Sequence, residues 1–304
     1  MRVYGIDFTS TPSRRKPLAC LACTFDGGIL RTETLEEWRD FSEFERALKR
    51  PGPWIAGIDF PFGQSRQFIE NIGWPADWAG YVRHAQSLGR AGFRKALDSY
   101  RASRPDGDRE HRRQTDMAAG SISPQKLYGV PIALMFFEGA PRLIDANVAI
   151  PRLQDGDPER IVVEAYPGML ARSIIGRRSY KQDTKKKQTE DQRTARLQLL
   201  SALRDGDAEA RYSFAIEASE ALCDNPGGDH LDALLCAIQA AWAWRNRENG
   251  FGAPETLDAA EGWIADPQLR DEANSKHRAL PKRLRVCAFP ATPGRRAALE
   301  FRNS

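Results

Sequence analysis

With 304 residues, 41% of them apolar and 28% charged, the chain is globular rather than disordered and long enough to bury a sizeable core. Its net charge of +4 is uneven: residues 83–126, 172–204 and 267–304 carry +5, +7 and +6, which leaves −14 on the remainder. The longest apolar run, Ala233 to Trp244, is too short for a bilayer span of about 20 residues, and no signal segment opens the chain, so a soluble, cytoplasmic protein with no membrane partner is expected.

In chain order, the first 33 residues read as three strands, "RVYGIDF", "PLACLACTF" and "GILRTET", with Asp26-Gly27-Gly28 as a hairpin turn. Cys20 and Cys23 fall on opposite faces of the second strand and read as buried hydrophobes, not as half of a zinc site. Leu35, Trp38, Phe41, Phe44 and Leu48 recur at helical spacing and predict a helix that ends at Pro51-Gly52-Pro53. A fourth strand, "WIAGIDF", follows.

Residues 61–151 read as a mainly helical, basic insertion. The core resumes over 152–266, first with "RIVVEAYP" as a buried strand and then with helices at "GMLARSIIG", after the Lys-rich stretch, and at "RYSFAIEASEALC". The segment "HLDALLCAIQAAWAW" is apolar nearly all round, which predicts a buried helix. Residues 267–304 read as an appended basic arm.

The tetrapeptide Gly-Ile-Asp-Phe occurs twice, at residues 5–8 and 57–60, each time ending a strand. Aspartate suits a strand interior poorly, and a buried carboxylate without a partner costs several kcal/mol. Each aspartate shares a strand face with the glycine two residues earlier, and Gly5 and Gly57 are expected to leave open space beside Asp7 and Asp59. A meander followed by a helix and a strand favours a right-handed crossover, which sets the fourth strand parallel to the first and Asp7 next to Asp59.

Glu164 ends a third strand of the same type. Asp229 and Asp232, at i and i+3, share a face near the start of the buried helix. A plain N-cap and a favourable helix-dipole position are the bland accounts of that pair. Carboxylates gathered this closely repel one another unless a cation holds them, and an all-oxygen ligand set selects Mg²⁺ or Mn²⁺ over zinc.

The motifs "GIDF", "GIDFPFG", "VEAYPG", "HLDALLCAIQAA" and "EGWI" run in this order from Val3 to Ile264. Together they resemble the domain of unknown function 429 family, described as predicted nucleases within the ribonuclease-H-like and Holliday-junction-resolvase-like superfamily. The resemblance implies an α/β fold: a mixed sheet, an antiparallel three-strand meander plus parallel strands, flanked by helices and formed by residues 1–60 and 152–266. It implies Asp7, Asp59 and Asp232 as metal ligands, with Asp229 adjoining and Glu164 beside them in a catalytic cluster.

The activity so implied is two-metal phosphodiester hydrolysis in a nucleic acid partner. Arg112, Arg113 and Lys185, Lys186 and Lys187 are then expected to hold phosphates. Two rivals stand beside it. Sugar kinases and actin-like ATPases share the fold, and "DFTSTPSRRK" places Ser, Thr and basic residues after an Asp. The other rival is an inactive module that binds nucleic acid or protein.

Overall fold

The computed structural model describes residues 1–254 and 258–270; the arm expected over 267–304 lies outside them from residue 271 on. Strands β1 (Arg2–Asp7), β2 (Leu18–Asp26) and β3 (Ile29–Trp38) form the antiparallel meander. Gly27 and Gly28 turn its second corner with positive φ, a conformation that costs glycine little. Helix α1 (Phe41–Leu48) carries the chain over to β4 (Trp54–Ile58), which pairs parallel to β1 as the crossover requires.

Beyond β4 lie β6 (Asp157–Glu164) and the short β5 (Val148–Ala149), both parallel, and β7 (Ala215–Glu217) closes the far edge against β3. The result is a mixed seven-stranded sheet in the order β5-β6-β4-β1-β2-β3-β7. Segment 61–151 supplies α2 (Arg66–Ile72), α3 (Trp78–Ser87), α4 (Gly89–Ala102), α5 (Gln114–Ala119) and α6 (Ile132–Asp145). After β6 come α7 (Pro167–Ile175), α8 (Glu190–Ala202), α9 (Ala208–Tyr212) and α10 (Asp229–Arg245).

The sheet separates two apolar cores, as strand alternation demands. Ile6, Cys20, Ile58 and Val162 pack with α1 to α4 and α6, whereas Val3, Cys23, Ile55 and Val163 pack with α7, α8 and α10. Cys20 and Cys23 thus enter different cores, both as free thiols. In α10 every residue from Leu231 to Ala243 is buried, which accounts for its apolar composition on all sides.

Three expectations change. β3 runs on to Trp38, paired with β2 through Leu21↔Leu35 and Leu18↔Trp38, and the helix starts only after the Asp40 cap. Leu35 and Trp38 match a helical period by coincidence, because cross-strand pairing decides their conformation. Residues 211–223 hold the last two residues of α9, strand β7 and a 3-10 turn at Glu220–Cys223 in place of one helix, since β3 offers an unpaired edge.

The third change concerns the glycines of the repeated tetrapeptide, which do not leave space. A Cβ on Gly5 would stand 1.8 Å from the Ala233 carbonyl oxygen, and one on Gly57 2.3 Å from that of Cys236. The backbone of α10 lies directly on the two strands. Gly5→Ala is therefore expected to cost about 3 kcal/mol of unfolding free energy, the upper range for overpacking, because a backbone carbonyl cannot swing aside. Urea denaturation compared with Gly92→Ala, on α4 where the nearest atom is the Leu88 Cβ at 3.3 Å, checks this; the control should stay close to wild type.

Candidate functional site

The two tetrapeptides lie side by side in register, Gly5 opposite Gly57 and Ile6 opposite Ile58, and the Asp59 N–H donates to the Ile6 carbonyl at 3.0 Å. Asp7 and Asp59 consequently leave the carboxyl ends of neighbouring parallel strands on the face that α10 covers. Helix α10 begins at that same end, and its first turn brings Asp229 and Asp232. Asp7, Asp59 and Asp229 line one open cavity of about 770 Å³.

Asp232 lies behind them, fully buried. Its Oδ1 accepts from the Tyr180 hydroxyl and its Oδ2 from the Lys181 ammonium, both at 2.5 Å. Lys181 reaches it from the cavity side, where its side chain is 46% exposed.

The electrostatics are those of excess negative charge. Burial, together with the charges of Asp232, Asp229 and Asp59, raises the Asp7 carboxyl well above the ordinary range, and Lys181 only partly offsets this. Burial pushes Asp59 up to about 7, with Lys181 opposing and Asp232 and Glu164 adding. Asp229 is raised by burial as well, against the pull of Lys16. Burial disfavours the Lys181 charge, yet Asp232, Tyr180, Asp7 and Asp59 hold its pKa well above that of a free lysine.

The cation that the sequence requires beside these acids is thus met in part by Lys181. Nothing in the segment "RSYKQD" marks this lysine out. Among the described residues no three His, Cys, Asp or Glu side chains stand at metal-binding spacing.

Glu164 sits elsewhere. It pairs with Ile58, one residue short of Asp59, so it points to the opposite face of the sheet. There it meets Arg113, which is 1% exposed. The guanidinium places all five donors: Nε on Asp116 Oδ2 at 2.9 Å, Nη1 on Glu164 Oε2 at 2.7 Å and the Glu261 carbonyl at 3.1 Å, and Nη2 on Glu164 Oε1 at 2.6 Å and Asp116 Oδ1 at 2.8 Å.

Arg113 therefore has no donor left for a phosphate, and the role expected for it is replaced by a structural one. Glu164, which also accepts from the Phe62 N–H at 2.9 Å, keeps its place on the cavity wall but is bound to Arg113 and is set apart from the aspartates. Burial raises its pKa and Arg113 opposes that shift. Arg112 is exposed. Lys185, Lys186 and Lys187 form an exposed 3-10 turn directly after Thr184, a cavity-lining residue.

His111 and His230 lie away from the cavity lining. His111 contacts the Tyr100 hydroxyl at 2.5 Å and His230 contacts Glu37 at 2.9 Å. No helix among the described residues is long and apolar enough to cross a membrane.

Two measurements follow from this electrostatic arrangement. Arg113→Leu strands Glu164 and Asp116 as unpaired buried acids and should cost about 3–5 kcal/mol by urea denaturation. Asp59 keeps its proton in the native state up to about pH 7, whereas the unfolded chain loses it near 3.8. Stability in metal-free buffer should therefore fall as pH rises between those values, and thermal midpoints of Asp59→Asn should lose that part of the slope.

The family model described as protein of unknown function (DUF429) matches residues 5–256. No curated protein and no solved structure matches the chain. The matched span takes in both tetrapeptides, the Arg113–Glu164 pair and the start of α10. The chain belongs to the DUF429 family.

Proposed function

We propose that this cavity hydrolyses phosphodiester bonds in nucleic acid with Mg²⁺ or Mn²⁺ held by Asp7, Asp59 and Asp229, with Asp232 beneath them. The observation that carries this reading is that acids from β1, β4 and α10 converge on one open cavity with too little positive charge to balance them. In type the donors suit a hard divalent cation, all being carboxylate oxygens whose mutual repulsion falls when a cation binds; they do not stand at metal-binding spacing, so their side chains would have to draw together around the ion. A divalent ion competes with Lys181 for the same carboxylates. When bound, such ions supply activation of water and neutralisation of charge at the phosphate.

The residues themselves bind and position. Lys16 and Lys181 line the cavity beside the acids and attract a phosphate, and Tyr180 holds Asp232 in place. A ribonuclease-H-like fold goes with this reading. It is supported by the meander β1–β3 beside parallel β4 and β6, with acids on the first strand, a central strand and the last long helix.

A phosphotransferase reading draws on one feature: Thr9, Ser10 and Lys16 from the β1–β2 loop and Gly227 before α10 line the same cavity, as an ATP site would need. A rise in thermal midpoint with ATP, without oligonucleotide cleavage, would favour it.

Calorimetry with Mn²⁺ should give binding heat for wild type, with affinity reduced at least about tenfold in Asp7→Asn and Asp59→Asn, one lost charge-assisted ligand each. Cleavage of labelled oligonucleotides should fall by about a hundredfold or more in the same variants. Equal heats across all three proteins would sink the proposal.

A further inference from the structure

Two features of the cavity mouth are not used by the acidic floor. The first is apolar. Large hydrophobic side chains exposed among the described residues are Met117, Ile122, Tyr128 and Val130, all in one stretch. Ile122 and Val130 line the cavity, continuous with Ile132 and Met135. Apolar surface left open beside a charged site marks an interaction surface.

The second feature is basic. Arg14-Arg15-Lys16 in the β1–β2 loop and Lys185-Lys186-Lys187 between α7 and α8 are far apart in sequence, yet the Lys16 ammonium meets Asp183 at 2.7 Å and joins the two loops at the mouth. Arg90 holds the first loop from below, bonding the Ser10 carbonyl at 3.0 Å. A lysine run by itself is an ordinary solvated surface. Two runs brought together on the rim of one cavity form a path for a polyanion.

We infer that the ligand is an unpaired nucleic acid strand, with one nucleotide unstacked into the cavity. Its base lies on the wall of Ile122, Val130, Ile132 and Met135. Its flanking phosphates lie on Arg14, Arg15, Lys16 and Lys185 to Lys187. The cavity of about 770 Å³ has the size of a small-molecule pocket, suited to one nucleotide and not to a duplex. The basic path extends past what a single phosphate needs, which separates a chain from a free nucleotide. An aliphatic wall buries the apolar face of any base without reading its edge, so strandedness and not sequence is what this site selects.

This rests on reading the acidic floor as a phosphodiester-cleaving site, and the experiment keeps the two apart. Full-length protein in chelator is titrated into fluorescein-labelled oligonucleotides, DNA and RNA, each as a single strand and annealed to its complement, and anisotropy is read. Single strands of at least one sugar type should bind at least about tenfold more tightly than the duplex, the effect of burying about one base against an apolar wall. Val130→Asp should lose at least about tenfold on the single strand and clearly less on the duplex, which meets only the added charge. The triple variant Lys185→Glu, Lys186→Glu, Lys187→Glu should bind more weakly and with a shallower salt dependence.

All four substituted side chains are exposed, and circular dichroism of each variant confirms that it folds. Equal binding of duplex and single strand, an unaffected Val130→Asp, or no binding of either form overturns the inference. Cleavage of duplex in Mn²⁺ that depends on Asp7 would leave the hydrolase reading standing while this one falls. Single-strand binding without Asp7-dependent cleavage would do the reverse.

Discussion

The backbone of α10 rests on the backbones of β1 and β4, and the geometry of the acidic cavity follows from that contact. Only glycine at positions 5 and 57 permits it, because any Cβ there would overlap a helix carbonyl. Parallel pairing puts the two glycines in one row, so the helix meets both strands at once and its first turn stops level with their carboxyl ends. Asp7, Asp59, Asp229 and Asp232 are neighbours because of this approach. The repeated tetrapeptide combines two needs at a spacing of two residues: a site with no side chain for the helix to lie on, and a carboxylate just past the helix end.

The other face of the sheet end is held by a balance of buried charge. Arg113 from the helical segment joins Glu164 at the end of β6, Asp116 at the start of α5 and the Glu261 carbonyl beyond α10. Glu261 in turn accepts from the Arg66 and Gln114 N–H groups at 2.8 and 3.0 Å. A buried ion pair adds little net stability against an apolar replacement, but losing one member is costly. These groups therefore work as a set, and through them four segments distant in sequence share one geometry. The wall of the cavity that carries Arg113 and Glu164 is consequently buried and fully paired, whereas the lysine turn and the apolar rim at the mouth are exposed.

Lys181 gives the acidic floor its particular character. Its ammonium bonds Asp232 and Lys16 pulls on Asp229, yet the pKa values of Asp7, Asp59 and Asp229 all move upward despite both. Such a site gains from any added positive charge. Asp7, Asp59 and Asp229 take up protons at a higher pH than ordinary carboxylates, so mild acid relieves their repulsion.

Much of this was legible in the sequence, and the reason is local. Alternating and helical periods, an Asp-Gly turn and the handedness of the crossover are enough to set β1 beside β4, and with them Asp7 beside Asp59. An apolar composition on every side of residues 231–243 likewise required a buried α10. What only the tertiary structure decided was which charges meet. Lys181 and Arg113 stand in basic stretches with nothing to separate them from surface neighbours, and Glu164 differs from Asp59 only by one step of strand register. Partners contributed by separate segments are chosen by three-dimensional convergence, a long-range property that no window of residues contains. For the same reason the edge of β3, and not the composition of residues 211–223, decided that a strand forms there.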